Sequence, residues 1–179
     1  MTGAAAGGQS ATEENLEELE DRILRCSQDG QDTDPDEARH AVDALMDALT
    51  RGAVRSARRV GDEWQAVEWV KTGILLAFRI GQVRELPSSP APFFDKDTLP
   101  LRDTRGVEEN IRLVPGGTSI RSGAFLGKNV IVMPPAFVNV GAYVGQGSMI
   151  DSHALVGSCA QVGERVHLSA GAQLGGALE

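Results

Sequence analysis

From residue 114 to the end the sequence divides into sixes without a gap: VPGGTS, IRSGAF, LGKNVI, VMPPAF, VNVGAY, VGQGSM, IDSHAL, VGSCAQ, VGERVH, LSAGAQ and LGGALE. The first place of every hexad is Val, Ile or Leu, although these types supply only 39 of the 179 residues. The fifth place is small or aliphatic each time. A helix repeats its apolar face every 3.6 residues and a half-buried strand every two, so neither sustains a period of six. Self-similarity at a fixed period marks a solenoid. Each hexad then supplies one short strand and one turn, and three hexads close a triangular coil of 18 residues. The aliphatic first place faces inward, and the fifth place stays small because the interior narrows there.

This architecture accounts for 21 glycines and an aromatic content of only 4%. It also accounts for the uneven charge. Residues 1–110 carry 22 of the 25 acids and 13 of the 17 bases, whereas residues 111–179 carry three acids and four bases. The net charge of -8 argues against a chain whose affinity rests on neutralising nucleic-acid phosphates. No stretch approaches the roughly 20 apolar residues of a membrane span. The N-terminus lacks the basic and apolar regions of a secretion signal, so a cytoplasmic protein is expected. Cys26 and Cys159 have no metal-ligand spacing and read as reduced packing thiols.

Before the repeat the pattern is helical. Residues 1–12 are Gly/Ala-rich and expected to be disordered. A helix fits residues 13–26, with Leu16, Leu19, Ile23 and Leu24 on one face. Asp34, Pro35 and Glu37 form a start signal for a second helix that Gly52 closes. Residues 54–60 and 63–66 flank a Gly61-Asp62 turn and predict a hairpin. Residues 69–80 predict a third helix, with Ile74, Leu75, Leu76 and Phe78 buried. Residues 87–100 hold four prolines and two serines and read as an irregular linker.

The fold class expected is therefore α+β: a small mainly helical unit over residues 13–110, then a parallel β-helix over residues 111–179. Eleven hexads make fewer than four coils, and LGGALE offers no cap. The expectation is a fragment, cut short at the C-terminus, of a longer protein, or else an end that a partner covers.

The residues from Met133 onward are more specific than a generic repeat. Met133-Pro134, VNVGAYV (138–144), Gly147 through Asp151, VGSCAQVG (156–163) and VHLS (166–169) resemble bacterial tetrahydrodipicolinate N-succinyltransferases, as do TGILLAFRI (72–80), FFDK (93–96) and IRLVP (111–115). The resemblance implies a left-handed β-helix, an exception to the usual crossover hand. It implies transfer of a succinyl group from succinyl-CoA, a co-substrate rather than a tightly bound cofactor, to tetrahydrodipicolinate in the diaminopimelate route to lysine. It further implies a homotrimer with sites in grooves between neighbouring solenoids, and no nucleic-acid or membrane partner. Much of the CoA groove in that family comes from later coils, so this chain alone is expected to bind acceptor poorly and CoA hardly at all.

Asp151 is the only acid between Glu109 and Glu164. On its own it reads as a turn residue. The resemblance makes it the acid that binds the acceptor and removes its proton, a role suited to a carboxylate beside an attacking amine. Arg112 reads either as a surface arginine at the domain junction or, by resemblance, as the fork that holds an acceptor carboxylate. Ser158 and Asn139 are weaker candidates for polar contacts near the groove. His153 is a possible general base only by analogy with other hexapeptide acyltransferases, and the resembled family has no catalytic histidine at that position. No metal is expected, because His153 and His167 differ in hexad phase and His40 lies in the helical unit. Two further readings remain: a non-catalytic solenoid that assembles through its end, and a hexapeptide acyltransferase with another acceptor, against which the helical unit and FFDK count.

Overall fold

The computed structural model describes residues 10–28, 33–86 and 93–178. Three helices come first: α1 (Ser10–Gln28), α2 (Pro35–Thr50) and α3 (Glu68–Ile80), with a hairpin of β1 (Ala57–Val60) and β2 (Glu63–Ala66) between the last two. Helix α1 begins at Ser10, inside the segment expected to be disordered; residues 1–9 lie outside the described residues. Its buried stripe is Leu19, Ile23 and Cys26, at the i, i+4, i+7 spacing of a helical face, while Leu24 lies at its margin. Helix α2 starts as its residues dictate. The Asp34 carboxylate accepts from the Asp36 N–H, and Pro35 occupies the first turn, where no N–H is needed.

In α3, Val70, Ile74, Leu76 and Ala77 are buried, but Leu75 is 49% exposed, because it falls on the side away from α1 and α2. Gly73 lets the helices close. A Cβ there would stand 2.3 Å from a Leu45 methyl. Within the irregular linker expected over residues 87–100, residues 93–96 form a strand instead. Strands β3 (Val83–Leu86) and β4 (Phe93–Lys96) pair antiparallel from Val83 with Lys96 to Leu86 with Phe93. Three of the four prolines fall in residues 87–92, outside the described residues.

The solenoid follows as eleven two-residue strands. Sheets form from strands three apart in sequence, all parallel. One contains β5 (Arg112–Leu113), β8 (Ile131–Val132), β11 (Met149–Ile150) and β14 (His167–Leu168). A second contains β6 (Ser119–Ile120), β9 (Phe137–Val138), β12 (Leu155–Val156) and β15 (Gln173–Leu174). The third contains β7 (Phe125–Leu126), β10 (Tyr143–Val144) and β13 (Gln161–Val162). Tyr143 stands opposite Phe125 and Gln161, so one coil is 18 residues. From β6 to β13 the second strand residue, which is the first hexad place, is buried every time. The fifth places fill the core beside them, with Ala124, Val130, Ala142, Ser148 and Ala154 at 3% exposure or less.

The register differs from the hexad count in one place. Leu113, not Val114, stands opposite Val132, so the step from β5 to β6 holds one extra residue. Gly116 (φ +143) and Gly117 (φ +88) absorb it, in backbone conformations that other residues rarely adopt. Elsewhere, except at Pro135 and Ala177, the fourth hexad place turns the corner with positive φ. Gly123, Gly141, Gly147 and Gly171 do so, and so do Asn129, His153, Cys159 and Arg165.

Two cores result, one among the helices and one inside the solenoid. They meet at the coil corners. Val140 belongs to the helical core, the Thr50 hydroxyl accepts from the Gly123 N–H, and the Ser56 hydroxyl donates to the Gly141 carbonyl at 2.9 Å. Among the described residues no helix is long and apolar enough to cross a membrane.

Candidate active site on one face of the solenoid

The sheet of β5, β8, β11 and β14 carries the candidate residues. In its strands alternate side chains face outward. Ile150 points into the core, so Met149 before it and Asp151 after it point out. Arg112, Ile131, Met149 and His167 occupy one ladder position on this face. Arg112 is exposed on β5, two strands from β11, which places its backbone roughly 10 Å from that of Met149. Asp151 and Arg112 thus share a face and are separated along it.

Asp151 is held from both ends. Its backbone N–H donates to the Leu168 carbonyl, and its carbonyl accepts from the Ala154 N–H. One carboxylate oxygen accepts from the Ser152 N–H at 2.7 Å, and the other lies 3.1 Å from Nε2 of His167. The Ser152 N–H first, and His167 second, hold the carboxyl below the usual aspartate range. The group is therefore an ionised, oriented acceptor of hydrogen bonds. It suits an amine that carries or develops positive charge.

The remaining candidates divide by burial. Asn139 is 8% exposed and its side-chain oxygen accepts from the Val140 N–H and from Arg121. Ser158 is 1% exposed and its hydroxyl accepts from the Leu178 N–H. Both tie coils together instead of facing a groove. His153 occupies a corner with φ +62, and its N–H donates to the Pro135 carbonyl. Cys159 is a corner residue too, and Cys26 is buried under α2 and α3. Among the described residues no group of three or more His, Cys, Asp or Glu side chains could hold a metal ion.

In the sequence His167 stands out only as a possible metal ligand. Its pairing with Asp151 was legible as a spacing. A strand residue lies opposite the residue 18 positions on, so the outward residue at i has its diagonal neighbour at i+16. Hollows of about 630 and 490 Å³ open against the helical unit, the first lined by Arg39, Asp47 and Glu109 and the second by Trp64 and Trp69. Chemistry, not hollow size, marks the Asp151 face.

A parallel β-solenoid of hexad coils, preceded by a three-helix unit and bearing an oriented carboxylate on one face, places the chain in the hexapeptide-repeat class. Residues 15–80 match the model of the tetrahydrodipicolinate N-succinyltransferase N-terminal domain. Curated relatives named 2,3,4,5-tetrahydropyridine-2,6-dicarboxylate N-succinyltransferase extend the likeness into the solenoid. The chain is 40% identical to that of Idiomarina loihiensis over 155 residues, which are 82% of this chain and 54% of the relative. It is 46% identical to that of Haemophilus ducreyi over 146 residues (80% and 53%), and 48% identical to that of Edwardsiella ictaluri over 144 residues (79% and 52%). Over these residues the chain belongs to the tetrahydrodipicolinate N-succinyltransferase family. It spans about half the length of the curated relatives it matches.

Proposed function

We propose that the protein transfers a succinyl group from succinyl-CoA to the amine of tetrahydrodipicolinate, as a cytoplasmic homotrimer in the diaminopimelate route to lysine. The observation that carries this reading is the extent of the likeness. Identity of 40–48% runs over about four-fifths of the chain, through both the helical unit and the coils.

In this reading Arg112 takes an acceptor carboxylate in its guanidinium fork. Asp151 faces the acceptor nitrogen. The acceptor is a cyclic imine, so water adds across its C=N bond and opens the ring to a ketone and a free amine. That amine nitrogen attacks the thioester carbonyl, a C–N bond forms, and the C–S bond breaks. The nitrogen gives up its proton to the Asp151 carboxylate, and the CoA thiolate departs. A carboxylate held below its usual range is a weak base toward a neutral amine, but the nitrogen becomes strongly acidic once bonded to the carbonyl carbon. Proton removal at that stage is within its capacity.

The test is acceptor-dependent release of CoA thiol by the protein expressed from its full reading frame. Thiol release that needs the amine, and a fall of about 10²-fold or more in kcat for Asp151→Asn, are expected. Release that ignores the amine, or wild-type turnover in Asp151→Asn, would remove the basis for this assignment.

A further inference from the structure

We infer that His167 is a positioning residue for Asp151, fixing the carboxylate in the orientation that meets the acceptor nitrogen. This rests on the succinyl-transfer reading and adds to it a group one coil away.

The pair arises from coil geometry. His167 stands opposite Met149 in the β11–β14 ladder, and Asp151 lies two residues beyond Met149 on the same outward face. The two side chains are diagonal neighbours, within reach across adjacent strands. The same diagonal brings the Arg121 guanidinium over the ring of Phe137, centroid at 5.9 Å. Among the described residues, Asp151 with His167 is the diagonal that joins two titratable side chains.

The contact is directional. Asp151 Oδ2 lies 3.1 Å from Nε2 of His167, and Oδ1 takes the Ser152 N–H at 2.7 Å. With both oxygens engaged the carboxylate plane is set, and each oxygen keeps a lone pair for a substrate N–H. The Nε2–H tautomer is the one this contact selects. His167 is 57% and Asp151 27% exposed, so the contact adds little to folding, as exposed polar pairs do. Its effect falls on orientation. Among the described residues His167 is the titratable group that is bonded to Asp151 and acts on its charge; His153, two residues on, sits at the corner of the same turn.

Three variants of the full-reading-frame protein test this: His167→Ala, His167→Gln, which keeps an N–H donor near the Nε2 position, and His153→Ala as control. Loss of the donor in His167→Ala is expected to lower kcat by about 10²-fold, the scale of a misplaced reacting group. KM for succinyl-CoA and Tm should stay unchanged. The acid limb of kcat/KM should move to higher pH, because the carboxylate loses a group that favours its ionised form. His167→Gln should recover most of the rate, and His153→Ala should lose none. The proposal is overturned if His167→Ala keeps its kcat and acid limb, or if it loses rate only together with Tm. Failure of the transfer reading looks different: the unmodified protein itself would then show no acceptor-dependent thiol release.

Discussion

Replacing Gly141 by alanine tests how tightly the helical unit is seated on the coils. Gly141 turns a corner at φ +74, and an added Cβ would lie 2.8 Å from the Ile74 Cδ1 and 2.9 Å from the Cys159 sulfur. Ile74 is fully buried between the helices and cannot swing away. Gly147 is the internal comparison. It turns the next corner at φ +71, but its Cβ would meet only the flexible Arg165 side chain at 3.4 Å. Both substitutions carry the left-handed backbone cost of about 1–2 kcal/mol. Gly141→Ala adds overpacking of about 1–3 kcal/mol. Its total is therefore about 2–5 kcal/mol, against about 1–2 for Gly147→Ala. For a chain of this length each kcal/mol moves Tm by about 2–4 °C, so the excess is roughly 2–12 °C. Thermal and urea unfolding, followed by far-UV circular dichroism and tryptophan fluorescence, reads both variants, with midpoints compared at equal m. Equal losses at the two positions would refute the reasoning, since the helical unit would then be yielding to the methyl group.

Two further outcomes follow from charged residues at the junction. The Arg102 guanidinium is 2% exposed and donates to the Ala124 carbonyl, the Thr104 hydroxyl and the Glu109 carboxylate. Arg102→Met should destabilise by roughly 3 kcal/mol, measured by urea unfolding. Arg102 also holds the Glu109 carboxyl below its usual range, so the stability this provides is complete above the ordinary glutamate pKa and is lost as pH falls through the lowered one; the variant should lack that acid-side decline. Arg55 lies 3.5 Å over the Tyr143 ring and 4.9 Å from that of Trp64, and its Nε donates to Gln161. Arg55→Ala should cost about 1–2 kcal/mol and shift tryptophan emission, and an unchanged spectrum would mean that the guanidinium does not pin the hairpin.

The parts legible in the sequence are those set by short-range rules. Asp34 and Pro35 mark the start of α2 because capping is a local transaction between a side chain and the next N–H groups. The hexads mark the coils because every ladder repeats the same burial. The β3–β4 hairpin was hidden by composition: prolines dominate the count over residues 87–100, yet the strand itself is Phe93–Lys96. The register slip before Ile120 was hidden because Leu113 and Val114 are both aliphatic and only the pairing tells them apart. At the site, Asp151 and Arg112 are candidates through resemblance alone, while the His167 contact needs the coil length as well as the residue. Asn139 and Ser158 looked polar and available. Their burial, which depends on neighbouring coils, is invisible one residue at a time.

The constant coil of 18 residues gives the solenoid a modular arithmetic. To the backbone, one coil can replace another, since removing a whole period would leave each of the three ladders in phase. To the helical unit the coils are not equivalent. It grips Gly123 through Thr50, Gly141 through Ser56, and Val140 through its own core. The repeat therefore supplies a scale along which residues can be moved, and the helices fix its origin. Asp151 has its place in the molecule by its count from that origin, since its hydrogen bonds among the described residues run to the coils.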